Sequence, residues 1–391
     1  MIGLELHTID YALLGALGVL FVAQLYFYAR YMCAVARRLR KKQSVVSSQP
    51  SEVPGVSVIL CAHNERENLS NYLQALLTQD YPTYEVIVVD DGSQDDTRNV
   101  IERYLCRDPR LHMTFVPLGA HVRSTKKLGL TLAAKAAQYD YLLLTDADCV
   151  PAGNQWIREM MNGFMEGQGS KDVVLGFGAY FKEKGHVNRM VRFDTLFNGL
   201  HYLGAAICGH PYMGVGRNLA YKKSLFFESG GFKHMMGTKA GDDDLFVNHV
   251  ARKKNTAAVV APESYTWSLT KKTMREWWQQ KRRHVSVSPH YRFGTKFRLL
   301  LEPLSRGLFY ALVVFMAVYY WPLAMGYATI PFMAAIGLFL IRWLMQSLVI
   351  NVSVRRMGLH RFSAISILWF DLMLPLVNLW MLIVPKKQTK W

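Results

Sequence analysis

Four long apolar runs, one near the N-terminus and three near the C-terminus, constrain how this chain can fold. They cover about residues 11–31, 304–320, 330–350 and 363–384 of 391. A helix needs roughly 20 apolar residues to cross a bilayer, so each run is a candidate membrane span. The first run has neither a basic N-terminal flank nor a small-residue cleavage site, which favours an anchor over a signal peptide. Only the stretch between the first two runs can hold a globular domain.

The positive charge of the chain is concentrated beside these runs. The chain has 46 Lys and Arg against 29 Asp and Glu, with an excess at residues 37–42 and 355–361. Basic flanks mark the cytoplasmic ends of membrane helices, so this charge predicts a cytosolic domain on a bilayer and no nucleic-acid partner. With an outside N-terminus and four spans, the basic tail at residues 386–390 would face outward, against the same rule. A re-entrant segment broken at Pro375 would remove the conflict.

Between the spans, short apolar runs alternate with helix-length segments. Strands are predicted at residues 56–61, 85–89, 112–116 and 141–145. The alternation predicts an α/β sheet with helices on both faces and ligands beyond the carboxyl ends of its strands. The predicted organisation is an N-terminal anchor, a basic linker, a globular domain, an amphipathic interfacial segment and C-terminal membrane helices, at residues 1–35, 36–52, 53–267, 268–302 and 303–391.

Carboxylates follow two of the predicted strands. Asp90 and Asp91 come directly after the second strand, and Asp146 and Asp148 come after the fourth. Alternating carboxylates at a strand end can share a Mg or Mn ion with a diphosphate. Taken alone, the first pair is equally typical of a polar turn before a helix, and the second pair is a weak signal.

A third acidic cluster places Asp242, Asp243 and Asp244 side by side after a glycine. Their mutual repulsion raises the proton affinity of at least one carboxylate, which makes it a candidate general base. A solvated helix N-terminus would show the same pattern. Farther along, residues 277–284 read WWQQKRRH on a predicted amphipathic helix, which also suits a membrane surface.

Taken together, in order and spacing, these motifs resemble glycosyltransferase family 2, in particular the membrane-integrated branch of hyaluronan synthase, cellulose synthase and ceramide glucosyltransferase. The resemblance covers about residues 54–292. It implies a GT-A type fold with a doubly wound mixed sheet, and inverting transfer of a sugar from a UDP-sugar with Mg or Mn as cofactor. The implied partners are the donor, the bilayer and a lipid or lipid-linked acceptor. The implied location is a membrane of the bacterial inner-membrane type, with the catalytic domain in the cytosol.

The resemblance also implies roles for particular residues. The nucleotide-sugar side would include Ala62, His63, Glu65, Asp90, Asp91, Lys126 and Asp146. The metal would be held by Asp148, with Asp146 beside it. The catalytic base would be Asp243, with Asp242 and Asp244 as alternatives. The acceptor side would include Gly216, Arg217 and Asn218.

The family's Gln-x-x-Arg-Trp motif fits this chain in two registers. It begins either at Gln279 with Arg282 or at Gln280 with Arg283, and the resemblance implies that this glutamine and arginine bind the nucleotide-sugar donor. Neither register has the tryptophan, which in polymerising members stacks on an acceptor sugar and is replaced here by Arg283 or by His284, a further acceptor-side residue. The resemblance therefore favours a single transfer. A processive polysaccharide synthase that translocates its product and a catalytically silent membrane scaffold are the alternatives.

Two ionisable residues, Arg342 and Asp371, fall well inside the third and fourth apolar runs. An ionised side chain is costly at that depth unless it is paired or wetted. Both lie a similar number of residues from the basic loop between these runs, so antiparallel helices would bring them together. We predict a facing pair, with Gln346 and Asn378 extending a polar seam.

Overall fold

The computed structural model describes residues 6–42, 53–117, 119, 122–166, 170–238, 240–321 and 329–383. The chain forms two compact units: one is Arg37–Tyr291, and the other combines the chain before it with the chain after it. Residues 43–52 of the predicted basic linker and the basic tail at residues 386–390 lie outside the described residues.

The unit Arg37–Tyr291 is built on two sheets. Their strands are β1 Val56–Ala62, β2 Tyr84–Asp90, β3 Leu111–Phe115, β4 Tyr141–Leu144, β5 Val150–Pro151, β6 Val173–Leu175, β7 Gly178–Tyr180, β8 Leu219–Lys222, β9 Thr256–Ala258 and β10 Thr266–Ser268. The larger sheet has seven strands in the order β3-β2-β1-β4-β8-β6-β9, and the smaller has the order β5-β10-β7. The first four strands of the larger sheet are parallel, whereas β8 is antiparallel to both of its neighbours. The predicted mixed α/β sheet is therefore confirmed, with strand ends within one residue of the expected positions.

Helices surround this sheet and form most of the second unit. The helices of the described residues are α1 Thr8–Phe27, α2 Cys33–Lys42, α3 Arg66–Leu77, α4 Thr97–Leu105, α5 Thr125–Ala136, α6 Trp156–Phe164, α7 His186–Ile207, α8 Lys223–Glu228, α9 Asp244–Val250, α10 Met274–Val285, α11 Phe293–Tyr320, α12 Thr329–Arg356 and α13 Ala364–Ile383. A π-helical turn, Tyr28–Met32, joins α1 to α2.

Both faces of the larger sheet are covered. Val58 and Leu60 of β1 are buried in one cluster with apolar residues of α3, α4 and α6. On the other face α5 approaches so closely that a Cβ on Gly129 would lie 2.9 Å from the side chain of Val89 and 3.4 Å from that of Cys61. Alternate side chains of a strand point to opposite faces, which is why α5 meets Val89 and Cys61 while Val58 and Leu60 face the other layer.

Within the described residues, four helices are long and apolar enough to cross a membrane, one near the N-terminus and three after the globular unit. They are Thr8–Arg40, Phe293–Tyr320, Ile330–Arg356 and Ala364–Met381. The four predicted apolar runs are thus confirmed as helices, and the second begins before its apolar part. The expected break at Pro375 is wrong, because α13 continues through this proline, which removes one helical hydrogen bond without ending the helix.

The unit that combines the chain before Arg37 with the chain after Tyr291 is called the membrane-type unit below. The predicted ion pair is confirmed within it. Nη1 of Arg342 donates to Oδ2 of Asp371 over 3.0 Å and to Oε1 of Gln346 over 3.4 Å. Asp371 also accepts from Nη1 of Arg306 over 2.7 Å, and Arg306 in turn pairs with Glu302 over 3.1 Å.

The predicted seam does not include Asn378. Its Oδ1 has no hydrogen-bond partner within the described part of the chain. Glu302, Arg306, Arg342 and Asp371 together form what we call the four-charge cluster.

Candidate active site

The parallel strands bring the first two predicted motifs to one edge of the sheet. Ala62 ends β1 and is paired in register with Asp90, the last residue of β2. The chain stays paired just beyond, where the N–H of Asp91 donates to the carbonyl of Ala62 over 2.8 Å. On the other side of β1, the N–H of Thr145 donates to the carbonyl of Ile59 over 3.1 Å, which fixes the start of the segment that carries Asp146.

The loop after β1 is tied to the loop after β2. Nδ1 of His63 lies 2.6 Å from the carbonyl oxygen of Asp91. The N–H of Asn64, which has the positive φ of 57°, donates to Oγ of Ser93 over 3.1 Å. Glu65 follows, and Oε2 of its carboxylate accepts from Asn68 over 2.5 Å. Burial raises the pKa of Glu65.

The start of helix α5 contacts two groups of carboxylates. One is the pair Asp146 and Asp148, which we call the metal-type pair, and the other is the acidic cluster Asp242–Asp244. Nζ of Lys126 lies 2.9 Å from Oδ1 of Asp146 and 3.2 Å from Oδ2 of Asp242. One residue earlier, the hydroxyl of Thr125 donates to Oδ2 of Asp91 over 2.7 Å. The structure therefore joins three motifs that lie far apart in the sequence: Lys126 links Asp146 to Asp242, and Thr125 bonds to the turn that carries Asp91.

Asp146 and Asp148 follow β4 as two half-buried carboxylates on either side of the buried Ala147. Although burial alone would raise it, the pKa of Asp146 is lowered by the charge of Lys126. Burial, and then the charge of Asp146, raise the pKa of Asp148. The raised pKa means that the ionised form of Asp148 is disfavoured in these surroundings. A bound cation would stabilise the ionised form.

A divalent cation at this pair would share it with ligands such as substrate phosphates and waters. Within the described ranges, no group of three or more His, Cys, Asp or Glu side chains could hold a metal. Mg²⁺ is commonly held by one or two carboxylates together with substrate phosphates and waters. Asp146 and Asp148 match that donor set.

The three carboxylates of the acidic cluster have different surroundings. Asp243 is half-buried and accepts the N–H of Gly216 at Oδ2 over 2.7 Å and the N–H of Asp244 at Oδ1 over 2.8 Å. Asp244 is buried, and its Oδ2 accepts from the hydroxyl of Tyr291 over 3.1 Å. Asp242 is the residue paired with Lys126.

Burial and neighbouring charges shift the pKa values of Asp243 and Asp244 to different extents. Burial, and then the charge of Asp242, raise the pKa of Asp243 to about 6. Burial and the charge of Asp243 raise the pKa of Asp244 well above its usual value. Asp243 is thus the carboxylate that combines partial exposure with a pKa close to neutral pH.

The three predicted acceptor-side residues occupy different positions. Gly216 supplies the N–H that holds Asp243. Arg217 is half-buried, with its guanidinium 4.3 Å from the ring centre of Tyr180 and its N–H groups on the carbonyls of Gly178 and Ala179. Its charge also acts on Asp146.

Asn218 is separated from this group. Its side chain has no exposed surface, and its amide donates to the carbonyls of Phe177 and Ser264 over 3.0 and 2.7 Å. Its Oδ1 accepts from the indole N–H of Trp156 over 3.1 Å. Asn218 therefore joins the residue before β7, the segment before β10 and helix α6.

The predicted amphipathic helix with the Gln-x-x-Arg residues is observed as α10. Trp277 and Lys281 form its buried side, and Lys281 pairs with Asp194 over 2.5 Å. Gln280 is half-buried and donates to the hydroxyl of Tyr180 over 3.3 Å. Gln279, Arg283 and His284 are exposed, and Arg282 is half-buried.

One buried residue beside the site was not identified from the sequence. Lys127, next to Lys126, is fully buried, and its ammonium donates to the loop before the acidic cluster. Two adjacent lysines at the start of a helix can both face solvent, so nothing in the sequence indicated that Lys127 is buried.

Parts of this chain are similar to known glycosyltransferases. The sequence model described as glycosyl transferase family 2 matches residues 57–233. The chain is 31% identical over 106 residues to a poly-β-1,6-N-acetyl-D-glucosamine synthase of Staphylococcus epidermidis, covering 27% of this chain and 24% of that protein. It is 29% identical over 129 residues to a putative teichuronic acid biosynthesis glycosyltransferase of Bacillus subtilis, covering 32% and 47%. It spans less than half the length of these two relatives.

Among solved structures, a mannosyltransferase from Pyrobaculum calidifontis in complex with GDP-Man and Mn²⁺ is similar along nearly the whole chain. The identity is 20% and the TM-score is 0.49, over 96% of this chain and 95% of that one.

Proposed function

We propose that this chain, which belongs to glycosyltransferase family 2 through its residues 57–233, transfers a sugar from a nucleotide-sugar donor to a membrane-associated acceptor. One observation carries the proposal. Lys126 contacts Asp146 of the metal-type pair and Asp242 of the acidic cluster, and this supports a proposed diphosphate site and a proposed base site close together at one edge of the sheet. Sugar transfer by a single displacement needs both.

Asp243 is the proposed general base. The acceptor hydroxyl oxygen attacks the anomeric carbon, its proton passes to Asp243, and the nucleoside diphosphate leaves with the electron pair of the broken bond. Attack opposite the leaving group inverts the configuration of the sugar. Asp242 suits the role less because it is ion-paired to Lys126, and Asp244 because it is buried against Tyr291.

Asp146 and Asp148 would hold the divalent cation, Mg or Mn, with Asp148 as the main ligand. Bound there, the cation would neutralise negative charge on the leaving diphosphate. Lys126 adds positive charge from the protein, and its two carboxylate partners keep the pKa of its ammonium high although burial opposes this. The donor is proposed to be UDP-linked, with Asp91 in the turn that contacts the uridine.

The register of the Gln-x-x-Arg motif is proposed to be Gln280 with Arg283. Gln280 contacts Tyr180, whose ring lies against Arg217, and the charge of Arg283 acts on Asp146. His284 would then stand where polymerising members have tryptophan. A guanidinium at this position suits a diphosphate because its planar set of N–H donors matches phosphate oxygens.

The acceptor is proposed to be a lipid or a lipid-linked sugar, because the same chain carries four helices of membrane-spanning length. The basic flanks of those helices support a cytosolic position for the catalytic unit, in a membrane of the bacterial inner-membrane type.

A processive polysaccharide synthase is the second candidate. The observation that favours it is the 31% identity to a relative named as a polysaccharide synthase. The absence of the stacking tryptophan at His284 supports single transfer instead.

Product analysis separates these functions. The purified protein in nanodiscs would be given radiolabelled UDP-sugars, Mn²⁺ and a bacterial lipid extract, with Asp243→Asn as the inactive control. A labelled glycolipid supports the proposal, and a labelled high-molecular-weight polymer supports the second candidate. No transfer from any donor would contradict both and favour a silent scaffold.

A further inference from the structure

Lys127 makes an unusual set of contacts for a lysine. It has no exposed surface. Its Nζ lies 2.8 Å from the carbonyl oxygens of Met235, Thr238 and Ala240, and 2.9 Å from Oγ1 of Thr238. An ammonium has three protons and no acceptor capacity, so this cage of oxygens satisfies it fully.

The segment bound by Lys127 leads directly into the acidic cluster. Ala240 precedes Gly241, whose φ of 94° turns the chain, and Asp242 and Asp243 follow. On its far side the cluster is held by the hydrogen bond from Gly216 to Asp243. The base is thus fixed from one side by Lys127 and from the other by Gly216.

Lys127 is also the last of three consecutive residues with complementary contacts. Thr125 bonds to Asp91 in the turn after β2, Lys126 bonds to Asp146 and Asp242, and Lys127 bonds to the segment before Asp242. The first turn of α5 therefore touches the nucleotide-side turn, the metal-type pair and the base-bearing segment at once.

We propose that Lys127 is a positioning residue for the general base: by binding the carbonyls of Met235, Thr238 and Ala240 it sets the position of Asp243 relative to the donor side of the site. Lys127 itself has no exposed surface with which to contact a substrate or a metal. This inference rests on the proposed function. Displacement of a catalytic group by about 1 Å can cost on the order of a hundredfold in rate, so loss of this anchor should affect turnover more than binding.

The first experiment compares Lys127→Met with Lys223→Met. Lys223 is a matched control, since its Nζ donates to the carbonyl of Ala137 over 2.7 Å at the other end of α5. We expect Lys127→Met to lower kcat about a hundredfold, with the Kd for UDP in the presence of Mn²⁺ within twofold of wild type. Lys223→Met should keep kcat within twofold. A Lys127→Met variant whose kcat stays within threefold of wild type would overturn the proposal.

A purely structural role is excluded by repeating the comparison in the Asp243→Asn background. If Lys127 acts through the base, its substitution should change the residual rate by less than twofold once the base is gone, because the two effects are not additive. A further hundredfold loss in this background would refute the positioning role.

Two milder substitutions at Thr238 test the same contacts if Lys127→Met does not fold. Thr238→Val removes one oxygen from the cage and should lower kcat about tenfold, whereas Thr238→Ser, which keeps the hydroxyl, should restore it. Equal rates for the two variants would count against the proposal.

Hydrogen exchange separates this inference from the proposed function. In the protein without nucleotide, residues 235–243 should exchange faster in Lys127→Met than in Lys223→Met, whether or not any sugar is transferred. Unchanged exchange would overturn the anchoring role. A wild-type protein inactive with every donor would instead contradict the proposed function and leave the exchange result to decide the anchor.

Discussion

The N–H of Gly216 donates to Oδ2 of Asp243 over 2.7 Å, and this contact orients the carboxylate while leaving it half-buried. A backbone donor favours the ionised form, yet burial and the charge of Asp242 outweigh it and raise the pKa of Asp243 to about 6. The same residue is therefore ionised at neutral pH and still basic enough to accept a proton.

The first prediction concerns the pH dependence of transfer. Since only the ionised carboxylate can accept the hydroxyl proton, kcat should fall as the pH drops through about 6 and reach a plateau above it. Asp243→Asn should lower kcat on the order of a hundredfold or more, with the Kd for the nucleotide nearly unchanged. Initial rates at saturating donor and calorimetry measure the two effects. A variant that keeps most of its turnover would show that Asp243 is not the base.

The second prediction is that Asp242→Asn moves the acid limb of the kcat profile to lower pH. The negative charge of Asp242 raises the pKa of Asp243, so its removal should let the base ionise at lower pH. Glu102→Gln is the matched control, because this exposed carboxylate pairs with Arg98 on α4. An acid limb that stays in place, or moves upward, in Asp242→Asn would contradict the arrangement.

The third prediction concerns the metal-type pair. Asp148→Ala should abolish the increase in UDP affinity that Mn²⁺ produces, because a diphosphate without its cation meets the remaining carboxylates as a like charge. Calorimetry with Mn²⁺ and with EDTA would measure this difference. Asp172→Ala, which removes a carboxylate paired with Lys222, should leave the Mn²⁺ effect intact. Full metal-dependent affinity in Asp148→Ala would assign Asp148 to a structural turn.

The fourth prediction concerns the four-charge cluster in the membrane-type unit. Asp371→Leu alone leaves two arginines against one carboxylate and should destabilise the detergent-solubilised protein by about 3 kcal/mol. Arg342→Leu with Asp371→Leu leaves the neutral pair of Arg306 and Glu302, and should recover much of the loss. Thermal unfolding of the single and double variants gives the coupling.

The control for this cycle is Arg306→Leu with Asp371→Leu. It has the same net charge, but it removes the direct partner of Glu302, so recovery should be smaller. Strictly additive losses for Arg342→Leu and Asp371→Leu would show that the pair contributes no coupling.

The sequence located the first two acidic motifs because they follow apolar strands, and parallel strands end at a common edge. It located the third because three carboxylates stand side by side after a glycine. It could not locate Lys127, whose partners lie 108 to 113 residues away and include backbone carbonyls that any residue type could supply. It also placed Asn218 with the acceptor residues, since a polar residue between Arg217 and a strand gives no sign that its amide is used to join three core segments.

In the membrane-type unit, too, the sequence predicted one contact and missed others. The pairing of Arg342 with Asp371 followed from counting residues along two antiparallel helices. The contribution of Arg306 and Glu302 did not, because they lie at the beginning of an apolar run, where charged residues are ordinary helix-end features.

The four-charge cluster has a consequence for how the protein responds to an energised membrane. Moving one elementary charge across a potential of 100 mV involves about 2.3 kcal/mol. The charges of the two arginines and two carboxylates sum to zero, and the four residues are joined by direct ion pairs. Moving the whole cluster along the membrane normal therefore takes no net electrical work. A membrane potential should therefore favour no displacement of this cluster as a whole.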